Sequence, residues 1–415
     1  MDILLIHGNY PGQFRSLAPL LCRDNNHRVV FLTERVEAKD EAFEGIYIKN
    51  FKAHREPSKD THHYLNATEE AILKGQAVIR AITELKEEGF NPRVVINHGG
   101  MGLGLFIKDI LPNSIQIGYF EWYFKPETTK HLVRDFNINT QLITGLRNMP
   151  ILQELEGCDL CVTPTEWQKK QFPKAYSGKI EVIFDGIDDT FFKPSNSEEA
   201  RSGELTLTNR DTKERYIIKS NEKIISYATR GMEPVRGFPE FMKMLPELLS
   251  TNNDLKVVIA GADRRAYSYD APSHNGSWKE YMLSTIEDIK VKDRIMFTGL
   301  LDYQDYRALL WRTNLHCYLT KPYVTSWSLF EAAGCGARLA VNRNSATSGI
   351  VEEESVTWLD LESQNQMLKK MNEALTSGKN KHSKLLKKYS LTNSLVKWEN
   401  IINKGLTNSV KREGY

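Results

Sequence analysis

A chain of 415 residues exceeds what one hydrophobic core usually serves, so two domains of roughly 150 to 200 residues each are expected. Its 40% hydrophobic and 26% charged residues exclude a disordered chain, and 55 Lys and Arg against 53 Asp and Glu leave no global positive field to hold a polyanion. Nucleic acid is therefore not an expected partner.

The opening MDILLIHGNYPGQF has no basic leading region and only a short apolar run, so it reads as a buried strand, Ile3 to Ile6, and not as a signal peptide. No stretch reaches the length needed to span a bilayer, and a cytoplasmic location is expected. Further strands are expected at Arg28 to Leu32, Arg93 to Asn97, Ile115 to Gly118, Leu160 to Thr163 and Ile180 to Ile183. A long helix, ATEEAILKGQAVIRAITELKEEG, is ended by Gly89 and followed by Pro92. This alternation is the pattern of βαβ units on a parallel sheet and defines an α/β domain over residues 1–192. Of the five cysteines, Cys158 and Cys161 form a CxxC with no second pair or histidine cluster to complete a zinc site, so they read as reduced core thiols.

From Lys193 to Asn221 the apolar pattern is replaced by Ser, Asn, Glu and Arg, the composition of an interdomain connection with one exposed hairpin. A second α/β series fills 222–382, with strands at Ile224 to Ala228, Lys256 to Ala260, Ile295 to Thr298, His316 to Leu319 and Arg338 to Val341. Two such Rossmann-like, doubly wound domains face each other across a cleft at the carboxyl edges of their sheets, where ligands of these folds bind. Residues 383–415 carry a helix expected to pack back across the junction. Lys379, Lys381, Lys384, Lys387 and Lys388 form a solvated helix face or a peripheral contact with the inner face of an anionic membrane.

Chemistry concentrates in five segments. After the first strand, HGNYPGQF places Gly8, Asn9, Pro11, Gly12 and Gln13 in a bare, turned backbone ahead of a helix, suited to an anionic or hydroxyl-rich ligand or serving as a tight turn. NHGGMGLG puts His98 on a glycine loop at a strand end, where a histidine can donate to a sugar hydroxyl or phosphate, and YFEWYF sets Glu121 among aromatics. In ATRGMEPVRGFPEF, Arg230 and Arg236 lie six positions apart with Gly231, Pro234 and Gly237 around them, so two cations can converge on a diphosphate. LTKPYVTSWSLFEAAGCG places Thr325 and Ser326 at a helix start whose amides are free for phosphate oxygens. Glu331 lies farther in, and Ser328-x-x-Glu331 also fits a capping box, which leaves capping and ligand binding as equal alternatives.

In order and spacing, these segments, with VVIAGAD, RIMFTGLLDYQDY, CDLCVTPTEWQKKQFP and VIFDGIDDTFFKP, resemble the family-4 retaining glycosyltransferases of the GT-B fold, and within them a subgroup that opens on a strand and HGNYPGQF. The resemblance spans nearly the whole chain. It implies transfer of a sugar from a nucleotide diphosphate-sugar to a hydroxyl acceptor, a glycan or glycolipid precursor, with no metal or other cofactor. Arg230 and Arg236 match the family's donor loop, and Gly231 and Gly261 belong to the same donor-side turns. The resemblance also places the base against backbone near Gly299 to Leu301 and gives Glu331 the ribose hydroxyls. It turns His98 to the donor sugar or reaction centre, leaving Gly8, Asn9, Gln13 and Glu121 on the acceptor side with Gly12 toward the donor. Tyr323 stands where the family has a further glutamate, the usual contact to the donor sugar. The alternative readings are a binding protein for nucleotide sugars or glycans without turnover, and a glycosyltransferase acting on a modified nucleic-acid base. Oligomeric state is not legible.

Overall fold

The computed structural model describes residues 1–23, 26–39, 42–376 and 383–413. Lys379 and Lys381 of the basic cluster, and the side chain of Lys384, lie outside the described part. The chain forms two compact units, one of Met1–Glu127, Phe136–Gly186 and Leu391–Tyr415, the other of Thr128–Asp135 and Ile187–Ser390.

In the first unit seven strands, β1 (Asp2–Ile6), β2 (Arg28–Thr33), β3 (Ile46–Asn50), β4 (Val94–His98), β5 (Ile115–Tyr119), β6 (Leu160–Thr163) and β7 (Ile180–Val182), form one parallel sheet in the order β3-β2-β1-β4-β5-β6-β7. Central β1 is apolar on both faces because both are covered. Ile3 and Leu5 pack with Phe14, Phe31, Ile96 and Tyr119 on one side, and Leu4 and Ile6 with Val30, Leu32 and Val95 on the other. The second face is closed by the helix Asn66–Glu87, which presents Ala77, Val78, Ile82 and Leu85 at helical spacing. Gly89 ends that helix at φ +79°, with Phe90 N–H donating to the Leu85 carbonyl and Gly89 N–H to that of Lys86, a Schellman closure. The first face is completed by Trp398, Ile401 and Ile402 of the helix Leu391–Glu413. Edge strand β3, absent from the strands expected above, is short and polar on its open side, with Tyr47 and Lys49 alternating with Ile46 and Ile48.

In the second unit a hairpin, β8 (Leu205–Thr208) and β9 (Arg215–Ile218), precedes β10 (Lys223–Gly231), β11 (Leu255–Ala262), β12 (Ile295–Gly299), β13 (Leu315–Tyr318), β14 (Leu339–Asn342) and β15 (Thr357–Leu359). The last six form a parallel sheet in the order β12-β11-β10-β13-β14-β15. Residues 193–221 differ from an exposed connection. Leu205, Leu207 and Ile218 are buried against Ile224, Val258 and Leu309, because the hairpin's LTLT alternation turns one whole face inward. The boundary accordingly falls at Gly186–Ile187, and the stretch 383–415 divides between the units at Ser390 and Leu391.

Each sheet reverses its strand order once, between β1 and β4 and between β10 and β13. Outside the carboxyl ends of those strand pairs lie the loops that open beside a doubly wound sheet's ligand crevice. No helix among the described residues is long and apolar enough to cross a membrane.

Candidate functional site

At the first reversal, His7 directly follows β1 and His98 is the last residue of β4, and the two imidazoles stand 4.4 Å apart between ring centroids. Asn9 N–H donates to His7 Nδ1 at 2.9 Å, so the His7 proton sits on Nε2, which donates to Gln13 Oε1 at 2.6 Å. Burial, and after it the neighbouring His98, push the His7 pKa down to about 3, which keeps this ring neutral. Gly12, at φ +53°, is glycine of necessity, since a Cβ there would stand 2.5 Å from His7 Nε2. His98 Nε2 lies 3.3 Å from Glu121 Oε2, and its buried Nδ1 has no hydrogen-bond partner among the described residues. Burial works against the Glu121 charge, but the His98 imidazole and the Gln13 amide hold its carboxyl below the usual range. His98, Gln13, Gly12 and Glu121 thus form one cluster. Asn9 joins it through its backbone, whereas the Gly8 carbonyl is engaged by Thr33 Oγ1 and Glu34 N–H. The helix expected after HGNYPGQF is only a 3-10 turn, Gly12–Phe14, and six residues, Leu17–Cys22, too short to offer an anion much dipole.

The loop after His98 is held by a residue with no local signal. Glu154, fully buried, accepts from Gly100 N–H (3.0 Å) and Gly102 N–H (2.7 Å) on one oxygen, and from Gly104 N–H (3.2 Å) and Asn97 Nδ2 (3.1 Å) on the other. Burial pushes its pKa up to about 7 against the pull of those amides. Cys158 and Cys161 are both buried and unbridged, with burial pushing the Cys158 thiol up, as core thiols require.

At the second reversal, β10 runs into a 3-10 turn, Pro234–Arg236, and the helix Phe238–Thr251. Gly237 joins them at φ +72°, where a Cβ would stand 2.5 Å from the Leu319 carbonyl oxygen. Arg236 is 6% exposed, and its Nη1 donates to Thr320 Oγ1 at 3.3 Å and the Val324 carbonyl at 3.1 Å. It lines a small, partly open pocket with Tyr227, Thr229, Thr320, Ser326 and Ser328. Arg230 is exposed and outside that lining. The two guanidinium groups meet instead at Tyr267, with Arg230 Nη1 3.2 Å from its hydroxyl and Arg236 over its ring at 5.2 Å.

Ser326 is the N-cap of the helix Trp327–Gly334, with no side-chain cap, and its N–H donates to the Tyr318 hydroxyl at 2.9 Å. Ser328 is therefore inside the helix and cannot form a capping box with Glu331. Glu331 is buried beside Tyr306, whose hydroxyl is pushed up by burial and next by the Glu331 charge. The Thr325 hydroxyl is buried without a hydrogen-bond partner among the described residues. Gly261 meets a packing demand, since a Cβ there would stand 1.9 Å from the Thr229 carbonyl oxygen, and Gly231 similarly faces the Arg264 carbonyl. Gly299 (φ +64°) faces Asn209, Leu301 bridges to Asn209, and the Leu300 carbonyl accepts from Arg210 N–H, so the hairpin turn engages part of this backbone.

His7, Glu154, Glu233 and Tyr267 are absent from the sequence-derived candidates. Only His7 carried a signal there, because it directly follows the first strand, as His98 closes β4.

Two parallel-sheet α/β units, each with a polar cluster at its strand-order reversal, define the GT-B class of glycosyltransferase fold. A family model described as glycosyl transferase family 4 group matches residues 25–192, and one described as glycosyl transferases group 1 matches 208–390, and together they mark a family-4-like glycosyltransferase of the GT-B fold. Solved structures sharing the fold include HepE from Anabaena in complex with UDP and glucose, 12% identical over 97% of this chain and 99% of that one, TM-score 0.64. A sucrose-phosphate synthase from Thermosynechococcus elongatus is 12% identical over 98% of this chain and 100% of that one, TM-score 0.70. The catalytic domain of starch synthase IV from Arabidopsis thaliana, bound to ADP and acarbose, is 9% identical over 98% and 99% respectively, TM-score 0.61. No curated protein matches the sequence.

Proposed function

We propose that the protein is a retaining glycosyltransferase that moves a sugar from a nucleoside diphosphate sugar to a hydroxyl acceptor, a glycan or glycolipid precursor. The observation that carries this reading is the buried Arg236 guanidinium in a hydroxyl-lined pocket at the carboxyl ends of β10 and β13. A cation fixed there by Thr320 and Val324 can neutralise a departing diphosphate without reorganising, an effect worth about 3 to 4 kcal/mol for one preorganised contact. Ser326 and Ser328 supply further donors, and Glu331 is assigned to the ribose hydroxyls. HepE, solved with UDP, and starch synthase IV, solved with ADP, support a nucleotide on this fold.

In this reading the acceptor hydroxyl attacks the anomeric carbon on the face from which the diphosphate departs, and the leaving phosphate takes the hydroxyl proton. No protein nucleophile is named. Arg236 and Arg230 do the neutralisation that a metal ion does elsewhere. His98, held by Glu121, is assigned to sugar hydroxyls. One observation favours a second reading, a binding protein without turnover, because Tyr323 occupies the position of the family's sugar-contacting glutamate.

A panel of UDP-, GDP- and ADP-sugars with a cell-extract acceptor pool separates the two. Release of nucleoside diphosphate with a product of unchanged anomeric configuration, read by NMR, supports transfer with retention. Inversion overturns the retaining step, and tight binding with no turnover favours the second reading.

A further inference from the structure

The loop that follows β11 is long, carries DRRAYSYDAPSHNGS before the helix Trp278–Ser284, and reaches back to the two arginines. Its anchor is Glu233, fully buried in the turn between Arg230 and Arg236. One carboxylate oxygen, Oε2, accepts from three successive backbone amides, those of Ala266 (3.1 Å), Tyr267 (2.8 Å) and Ser268 (2.8 Å), and from Ser268 Oγ at 3.1 Å. Three consecutive amides on one acceptor fix the backbone of the central residue, and the central residue is Tyr267. Its ring, 37% exposed, stands against Tyr323 at 5.5 Å between centroids, takes Arg236 on its face and receives Arg230 at its hydroxyl.

Resting on the donor reading above, we infer that Tyr267 is a further contact residue of the diphosphate-sugar site that sets the direction of both guanidinium groups, and that Glu233 is its positioning residue. Arg230 is exposed and Tyr267 is the side chain shown holding it. Without that hydroxyl an exposed arginine samples many rotamers, each of which must be surrendered on binding. Without the ring, Arg236 loses the aromatic surface on one side of its plane while Thr320 and Val324 still hold its edge. The partly exposed Tyr267 ring, packed edge-on against the buried Tyr323, offers an apolar surface beside the two cations, suited to the C–H face of a sugar attached to the diphosphate. This places recognition of the transferred sugar on aromatic stacking, in the position from which the family's glutamate is missing.

The test is calorimetric titration with UDP, GDP, ADP and inorganic diphosphate, and then with the sugar-bearing form of the best nucleotide. Tyr267→Ala, at a partly exposed position, should weaken the nucleoside diphosphate about tenfold, and Tyr267→Phe, which keeps the ring, by about threefold. Glu233→Ala should match Tyr267→Ala. Glu233→Gln should restore most of the affinity, because its carbonyl can replace Oε2 and its amide nitrogen takes the place of Oε1, which has no hydrogen-bond partner among the described residues. The double variant Glu233→Ala, Tyr267→Ala should be no weaker than Tyr267→Ala alone, as for two residues acting through one contact. Additive losses, or wild-type affinity in Tyr267→Ala, overturn the inference. Loss of binding in Arg236→Ala alongside that wild-type affinity leaves the donor reading standing without it, whereas unchanged binding in Arg236→Ala removes both.

Discussion

Arg230 and Arg236 carry the same charge in unlike settings, and the difference sets what each should be worth. Arg236 is buried and fixed by two hydrogen bonds, so Arg236→Ala should lower transfer by about a hundredfold or more, measured as initial rate of nucleoside diphosphate release. Arg230 is exposed and held by one phenol, so Arg230→Ala should cost nearer tenfold. Glu331→Gln should weaken donor affinity while leaving the melting temperature within a degree or two, since no cap is lost. An effect confined to melting would return Glu331 to a packing role. Buried histidines set the acid limit. His316, fully buried with Nδ1 2.9 Å from Ser226 Oγ, has its pKa pushed down to about 4 by burial. Its unfolded value is higher, so its contribution is whole above about 6.5 and is lost as pH falls through 4, on the order of 3 kcal/mol. Glu154 has the opposite sign, its cost being full above about 7 and relieved toward pH 4.5. Thermal melts of His316→Gln between pH 7 and 4.5 should therefore fall less steeply than those of the parent.

At the scale of elements, the strands were the most legible part, because buried parallel strands read as short β-branched runs bounded by turns. Two edge strands escaped that reading. β3 is half polar, and β15 is only three residues long. A hairpin was expected in residues 193–221, but an exposed one; the charged turn between β8 and β9 masked the inward face that the LTLT alternation gives it. The last helix was expected to pack back across the junction, and its partners show what it does within the first unit. Trp398 is buried and stacked near Tyr119, 6.3 Å between centroids and 24° between planes. Trp398→Ala should cost about 3 to 5 kcal/mol in urea denaturation, and a cost below about 1 would mean that the helix is not part of that core.

For the whole molecule, His98, Gly12, Gln13 and Glu121 gather where the first sheet order turns and Arg236 and Ser326 where the second turns, whereas Gly261, Gly299 and Leu301 lie at the ends of β11 and β12, away from that point. That much follows from chain order, because strand ends and glycine turns mark where backbone groups are left for a ligand. The supports of those clusters do not follow. Glu154 reaches glycines more than fifty residues away, and Glu233 reaches amides more than thirty residues ahead. Nothing in local periodicity distinguishes either carboxylate from a surface one. The central claim is that Arg236 neutralises a departing nucleoside diphosphate. Its most direct measurement is turnover of the protein and of Arg236→Ala against UDP-, GDP- and ADP-sugars, with melting curves recorded for both. The expected result is release of nucleoside diphosphate from at least one donor and its near loss in the variant at unchanged stability. Equal rates in the two proteins would contradict it.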